Sequence, residues 1–128
     1  MVSPAGGKVV LVPFPFSDLS RSKLRPAVVL ANAGRGDWIL CQVTSKPYGD
    51  PFSISLTDDS FAEGSLKAAS FARPGKLFTA ATSLIVNEVG LLKDEALRQI
   101  VDAVVGMLRP PEARQADEEE DGNGITSR

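Results

Sequence analysis

Residues 25–44 read RPAVVLANAGRGDWILCQVT, and their pattern sets the class of the fold. Two short apolar runs, Ala27–Ala31 and Trp38–Val43, are rich in strand-forming side chains and bounded by turn formers, so both read as strands. NAGRGD between them supplies the asparagine, glycines and aspartate of a hairpin turn. Arg25 stands directly before Pro26, which pushes it away from helical dihedrals and into extended backbone. A guanidinium is therefore expected at the mouth of a buried strand. Taken alone, such a group is a solubilising charge, a partner for a nearby carboxylate, or a grip for a ligand.

Working outward, Lys8–Val12 is another short apolar run, which Pro13 and Pro15 are expected to end because proline cannot join a central ladder. Asp18–Lys23 is polar and turn-like. On the C-terminal side, SKPYGDP reads as a loop, and Phe52, Ile54 and Leu56 alternate with serines over a strand with one wet face. TDDSFAEGS is expected to be a connection. Lys67–Arg73 and Lys76–Ala80 read as strands split at Pro74-Gly75, and Leu84–Val89 as one more. Many short strands with frequent turns suggest a small curled sheet or barrel. One helix stands out in KDEALRQIVDAVVGML, where Leu97, Ile100, Val101, Val104 and Leu108 share one face. Asp94 and Glu95 suit its positive end, and Pro110-Pro111 stop it. It is expected to cap the barrel or to make a subunit contact.

The 128 residues suit one domain, residues 1–109, followed by a tail, residues 110–128. The tail holds six of the 16 acidic residues but two of the 14 basic ones, so the body is mildly positive although the chain carries −2. Charged, glycine-containing and almost without large apolar groups, the tail is expected to be disordered. Its DEEED run could also fold over the positive face and compete with nucleic-acid phosphates. No apolar run approaches the ~20 residues that span a bilayer, and MVSPAGGKVV lacks the pattern of a signal peptide. A cytoplasmic location and no membrane partner are the expectation.

Histidine is absent, which removes the commonest general acid–base group and the commonest metal ligand together. Cys41 is the single cysteine and reads as a small buried thiol. No cofactor and no metal site is expected. The chain has no GxxxxGK loop, HExxH, CxxC or GxSxG. Polar groups of interest sit instead at strand ends: Asp18, Arg25, Thr44, Ser45, Ser70, Arg73 and Lys76. Each has an ordinary explanation. Thr44 and Ser45 can satisfy a turn, Arg73 can guard a strand edge, and Asp18 can cap a turn.

In combination they say more. PFPFSDLSRSKLRPAVVLAN, DWILCQVTS and GSLKAASFARPGKLFT, in this order, resemble the PemK/MazF family of bacterial toxin endoribonucleases, from about Gly6 to Leu108. The resemblance implies a mostly β fold, a small SH3-like barrel with a C-terminal helix, usually a homodimer. It implies metal-independent cleavage of single-stranded RNA through 2′-hydroxyl attack, in a type II toxin–antitoxin pair. A cognate antitoxin would hold the activity in check, and operator DNA would be met only through that antitoxin. Arg25 matches the arginine of the family's RP strand entry and Thr44 the threonine closing the next strand, the pair most often assigned to catalysis. Asp18 matches an acidic residue of the PFPF segment and is a candidate base. Lys23, Ser45, Lys46, Arg73 and Lys76 are candidate RNA contacts. Many relatives carry aspartate two positions after the arginine of the RPxKL segment, where this chain has Gly75. The alternatives are a non-catalytic binder resembling the gyrase poison CcdB, or an inactive antitoxin-binding homologue. The former uses a tryptophan-bearing helix end, and GMLRPP has no aromatic.

Overall fold

The computed structural model describes residues 4–15, 22–46 and 49–110. Asp18 and residues 111–128 lie outside them, and with them the expectations about the acidic tail and about residues 18–21 of the Asp18–Lys23 turn. The described residues form seven strands: β1 (Lys8–Pro15), β2 (Ser22–Gly34), β3 (Asp37–Thr44), β4 (Ile54–Leu56), β5 (Phe61–Gly64), β6 (Ser70–Ala81) and β7 (Asn87–Leu92). One helix follows, α1 (Asp94–Leu108). The strands make a single sheet in the order β4-β6-β3-β2-β1-β7-β5, with every pair antiparallel. The sheet is curled into a half-barrel, and register shifts interrupt the β1–β7, β2–β3, β3–β6 and β5–β7 ladders. Such bulges bend strands and increase local twist. The two edge strands have three and four residues, which leaves little unpaired backbone at either edge.

The expected hairpin joins β2 to β3. Its central residues Arg35 and Gly36 have φ of 59° and 83°, the left-handed geometry that matches the twist of two antiparallel strands. Thr82 ties the turn to the end of β6. Its Oγ1 donates to the Gly36 carbonyl at 3.0 Å and accepts from Trp38 Nε1 at 2.9 Å.

Side chains on the central strands alternate between two apolar clusters. On one face Val9, Val28, Cys41, Val43, Leu56 and Ala72 pack with Ala96 and Ile100 of α1. On the other, Val10, Val12, Ala27, Val29 and Leu40 pack with Ala80, Ile85 and the partly buried Trp38 and Phe78. Burial on both faces is why these runs are apolar throughout. Each fully buried valine, leucine or isoleucine among them contributes roughly 1.5–3 kcal/mol.

Several boundaries differ from the expectations, each for a physical reason. β1 continues through Pro13 and Pro15, paired with Leu24 and Ser22. β7 pairs with β1 only as far as Leu11, whose carbonyl accepts from Val86 N at 2.9 Å. By alternation Pro13 and Pro15 turn their nitrogens to that same side, where no ladder bond is lost. β2 begins at Ser22, so Lys23 and Arg25 lie within a strand rather than in a loop and at its mouth. Phe52 is half exposed, and only Ile54–Leu56 of its stretch is paired. The expected connection at 57–65 contains a short 3-10 turn and β5. A Cβ on Gly64 would collide with the Val89 carbonyl, and one on Gly90 would lie 2.8 Å from the Glu63 carbonyl, so β5 and β7 approach where two glycines permit it. The last strand runs Asn87–Leu92, after a 3-10 turn at Thr82–Leu84.

The split at Pro74-Gly75 is instead a bulge inside one long strand. Val43 pairs with Ala72 and Cys41 with Leu77, so Gln42 alone faces the four residues Arg73–Lys76. A bulge is where a sheet tolerates proline, and Pro74 is fully buried there. The helix forms where expected, but its inward residues are Ala96 and Ile100 with Leu97 against the same cluster. Val101, Val105 and Leu108 are exposed.

Candidate active site

The sheet order β6-β3-β2 brings three strand ends together: the start of β2, the end of β3 and the bulged start of β6. Arg25 pairs with Val12 on β1, and Ala27 with Gln42 on β3. Carried on two residues, the β2–β3 register sets Arg25 opposite Thr44. Directly opposed residues hold their Cβ atoms ~4.5–5.5 Å apart. Arg25 has the alternation of Ala27 and Val29, and Thr44 that of Leu40, so both belong to the face away from α1. Lys23 continues the same stripe and is exposed.

Thr44 is 8% exposed. Its Oγ1 accepts from Lys46 N at 3.1 Å and donates to the Lys46 carbonyl at 3.2 Å, so the hydroxyl closes the turn that ends β3. That turn presents Ser45 and Lys46 to solvent. A rotation about χ1 or of the O–H bond is needed before this hydroxyl donates elsewhere. Arg73 heads the bulge and is half-buried. Its Nε donates to Asp50 Oδ2 at 2.9 Å. Lys76 is exposed at the far end of the same bulge, and Gly75 lies between them without positive φ.

Of the residues singled out in the sequence, Lys23, Arg25, Thr44, Ser45, Lys46, Arg73 and Lys76 thus fall at one end of three neighbouring strands. Ser70, buried, turns its Oγ to the Ala68 carbonyl at 2.9 Å and serves the turn into β6. Asp18 lies outside the described residues.

Two further residues enter the site that were not among the candidates. Gln42, paired with Ala27, lies one alternation step from Thr44 on the same face, and its buried Oε1 has no hydrogen-bond partner among the described residues. A lone polar residue within ILCQV was the available signal, since a buried carbonyl oxygen without a partner is costly. Asp50 brings a carboxylate to the cationic end. The Arg73 guanidinium, helped by the Phe52 amide, holds its carboxyl below the usual range. Nothing in GDP distinguishes this aspartate from any turn residue.

This end of the sheet is rich in cationic side chains. Arg25, Lys23, Lys46, Arg73 and Lys76 supply positive charge, and arginine's planar fork matches phosphate oxygens. Among the described residues no three His, Cys, Asp or Glu side chains come together as a metal site. Cys41 is buried beside the bulge with its Sγ 3.2 Å from the Arg73 carbonyl, and burial pushes its thiol up to about 12. It is a packing residue, not a nucleophile. No helix among the described residues is long and apolar enough to cross a membrane.

Solved structures of the same fold include MazF proteins and endoribonucleases. A MazE–MazF structure from Deinococcus radiodurans is 20% identical with a TM-score of 0.67, covering 84% of this chain and 97% of that one. An endoribonuclease from a mycobacterial species is 14% identical with a TM-score of 0.64, covering 87% and 96%. A mycobacterial endoribonuclease in complex with its cognate antitoxin is 13% identical with a TM-score of 0.61, covering 86% and 100%. No curated protein matches the chain in sequence. The family model described as PemK-like, MazF-like toxin of type II toxin–antitoxin systems matches residues 5–108, most of the chain and all of the sheet and helix. With the curled sheet, the C-terminal helix and the RP strand entry in place, the chain belongs to the PemK-like, MazF-like toxins of type II toxin–antitoxin systems.

Proposed function

We propose that this toxin is a metal-independent endoribonuclease that cuts single-stranded RNA at short sequences. The observation that carries the reading is the β2–β3 register, which aligns Arg25 with Thr44 on one face of adjacent strands. In the reaction a ribose 2′-oxygen attacks the adjacent phosphorus and the P–O5′ bond breaks. The products are a 2′,3′-cyclic phosphate and a 5′-hydroxyl. The 2′-hydroxyl proton leaves to a base, and the departing 5′-oxygen takes one up.

Arg25 stabilises the extra negative charge of the five-coordinate transition state, and the Thr44 hydroxyl donates a further hydrogen bond once it turns from the Lys46 carbonyl. Arginine does not deprotonate in proteins, so the base is a different group, with Asp18 the candidate. Lys23, Ser45, Lys46, Arg73 and Lys76 contact flanking phosphates and the ribose chain, an attraction that weakens with salt.

The same reading includes a cytoplasmic toxin that pairs as a homodimer and meets operator DNA only through its antitoxin. Val101, Val105 and Leu108 of α1 offer exposed apolar surface for a protein contact. The test is incubation of pure protein with mixed RNA in excess EDTA. Fragments ending in 2′,3′-cyclic phosphate and 5′-hydroxyl are expected, and persistent full-length RNA would sink the reading.

A further inference from the structure

Beside the candidate centre lies an ion pair whose carboxylate the cleavage scheme does not use. Asp50 Oδ1 accepts from Phe52 N at 2.9 Å, and Oδ2 accepts from Arg73 Nε at 2.9 Å. One carboxylate therefore closes a turn within its own loop and also reaches β6. The two side chains are 11% and 20% exposed, so the pair is drier than an ordinary surface ion pair.

Topology gives this contact a purpose. β3 and β4 flank β6 on its two sides, and Val43 and Ile54 both pair with Ala72. The chain that leaves Thr44 must cross β6 before it enters β4, and the ion pair fastens it there. Arg73 is also the first residue of the four-residue bulge, where ladder bonds no longer dictate its direction. The Cys41 thiol meets its carbonyl and Asp50 meets its guanidinium, so both ends of this residue are oriented by specific partners.

We propose that Asp50 is a positioning residue for RNA binding: held at Nε, Arg73 presents its planar fork in one orientation. A guanidinium already immobilised loses less rotamer freedom when a phosphate docks on it. The inference rests on the reading of this end as an RNA-cleaving centre.

The experiment measures binding of a 2′-O-methylated mixed-sequence RNA 12-mer, which lacks the attacking hydroxyl, alongside kcat and KM on cleavable RNA and thermal melting. Asp50→Asn is expected to weaken binding and raise KM about tenfold at unchanged kcat. Asp50→Glu should recover part of the loss, and Asp50→Asn combined with Arg73→Ala should bind no worse than Arg73→Ala alone. Arg73→Lys keeps the charge without the Nε geometry, and it serves if Asp50→Asn fails to fold. It should lose a similar share of affinity at a near-normal melting temperature.

Unchanged binding in these variants, with only the melting temperature moved, would make Asp50 a structural staple and overturn the proposal. Tighter binding by Asp50→Asn would overturn it too, by making Asp50 a competitor of phosphate. If the unaltered protein cleaves RNA while Asp50 proves neutral, only the positioning role falls. If the unaltered protein neither binds nor cuts RNA, the cleavage reading falls and takes the positioning role with it.

Discussion

The two faces of the central strands are built from alternate residues of the same segments, yet they end differently. On the α1 side the apolar stripe runs through Val28, Cys41 and Val43 to Ala72, the last pair before the bulge, where Ala96 and Ile100 cover it. On the other side the stripe of Ala27, Val29 and Leu40 gives way to Arg25, Gln42 and Thr44 within one alternation step. One face is a core to its end, while on the other polar side chains replace apolar ones as the backbone ladder continues. Rigid strands thereby carry the candidate groups, which suits side chains that must be held in place for charge stabilisation.

Substitutions on the two faces should separate stability from activity. Ile100→Ala removes a fully buried side chain from the helix-covered face and should cost ~2–5 kcal/mol of stability. Urea unfolding measures that, while RNA cleavage by the molecules still folded should stay near normal. Thr44→Val should act mainly on activity, with a smaller loss of stability from the turn that its hydroxyl closes. Loss of one hydroxyl donor raises the barrier by roughly 1–1.5 kcal/mol, about tenfold in single-turnover rate, whereas Thr44→Ser keeps the donor and most of the rate.

Smaller effects come from titration. The Asp50 carboxyl is held low by Arg73, so its contribution to stability is complete above the ~3.9 of an unfolded aspartate and disappears as pH falls from there through the folded value. Asp50→Asn should flatten that acid limb in urea midpoints measured from pH 2 to pH 7. Smallest of all, Cys41 should resist iodoacetamide in the native protein at pH 8 and react once urea unfolds it. Burial holds the thiol protonated up to about 12, and the stability this provides is lost only as pH rises from 9.0 toward that value. Ready alkylation of the folded protein would show that the α1 side is open.

The residues make this asymmetry partly legible before any coordinates. Apolar runs and the NAGRGD turn identify β2, β3 and their hairpin because both depend on local chemistry. The helix is equally plain from its periodicity, although which part of its apolar face is covered depends on the sheet beneath, and Val101 and Leu108 are exposed. β5 is invisible because four residues carry no period, and its pairing depends on close approach at Gly64 and Gly90. Pro74-Gly75 reads as a break because local rules exclude proline from ladders. Only the register of β3 against β6 reveals a bulge that accommodates it. Arg25 and Thr44 are recognisable from motif likeness, and their alignment follows from register. Asp50 is not recognisable at all, since its partner is 23 positions away and reached only by a chain crossing.

In the proposed reaction the polar end of the face away from α1 cleaves RNA, and Arg25 carries the largest share of transition-state stabilisation. This is tested most directly by the single-turnover rate of RNA cleavage in excess EDTA for the unaltered protein and Arg25→Ala, with melting temperatures measured in parallel. The Arg25→Ala rate should be lower by 10²–10³, equivalent to ~2.7–4 kcal/mol, at a melting temperature close to the original. Equal rates in the two proteins, or a loss of activity matched by loss of the fold, would contradict that role for Arg25.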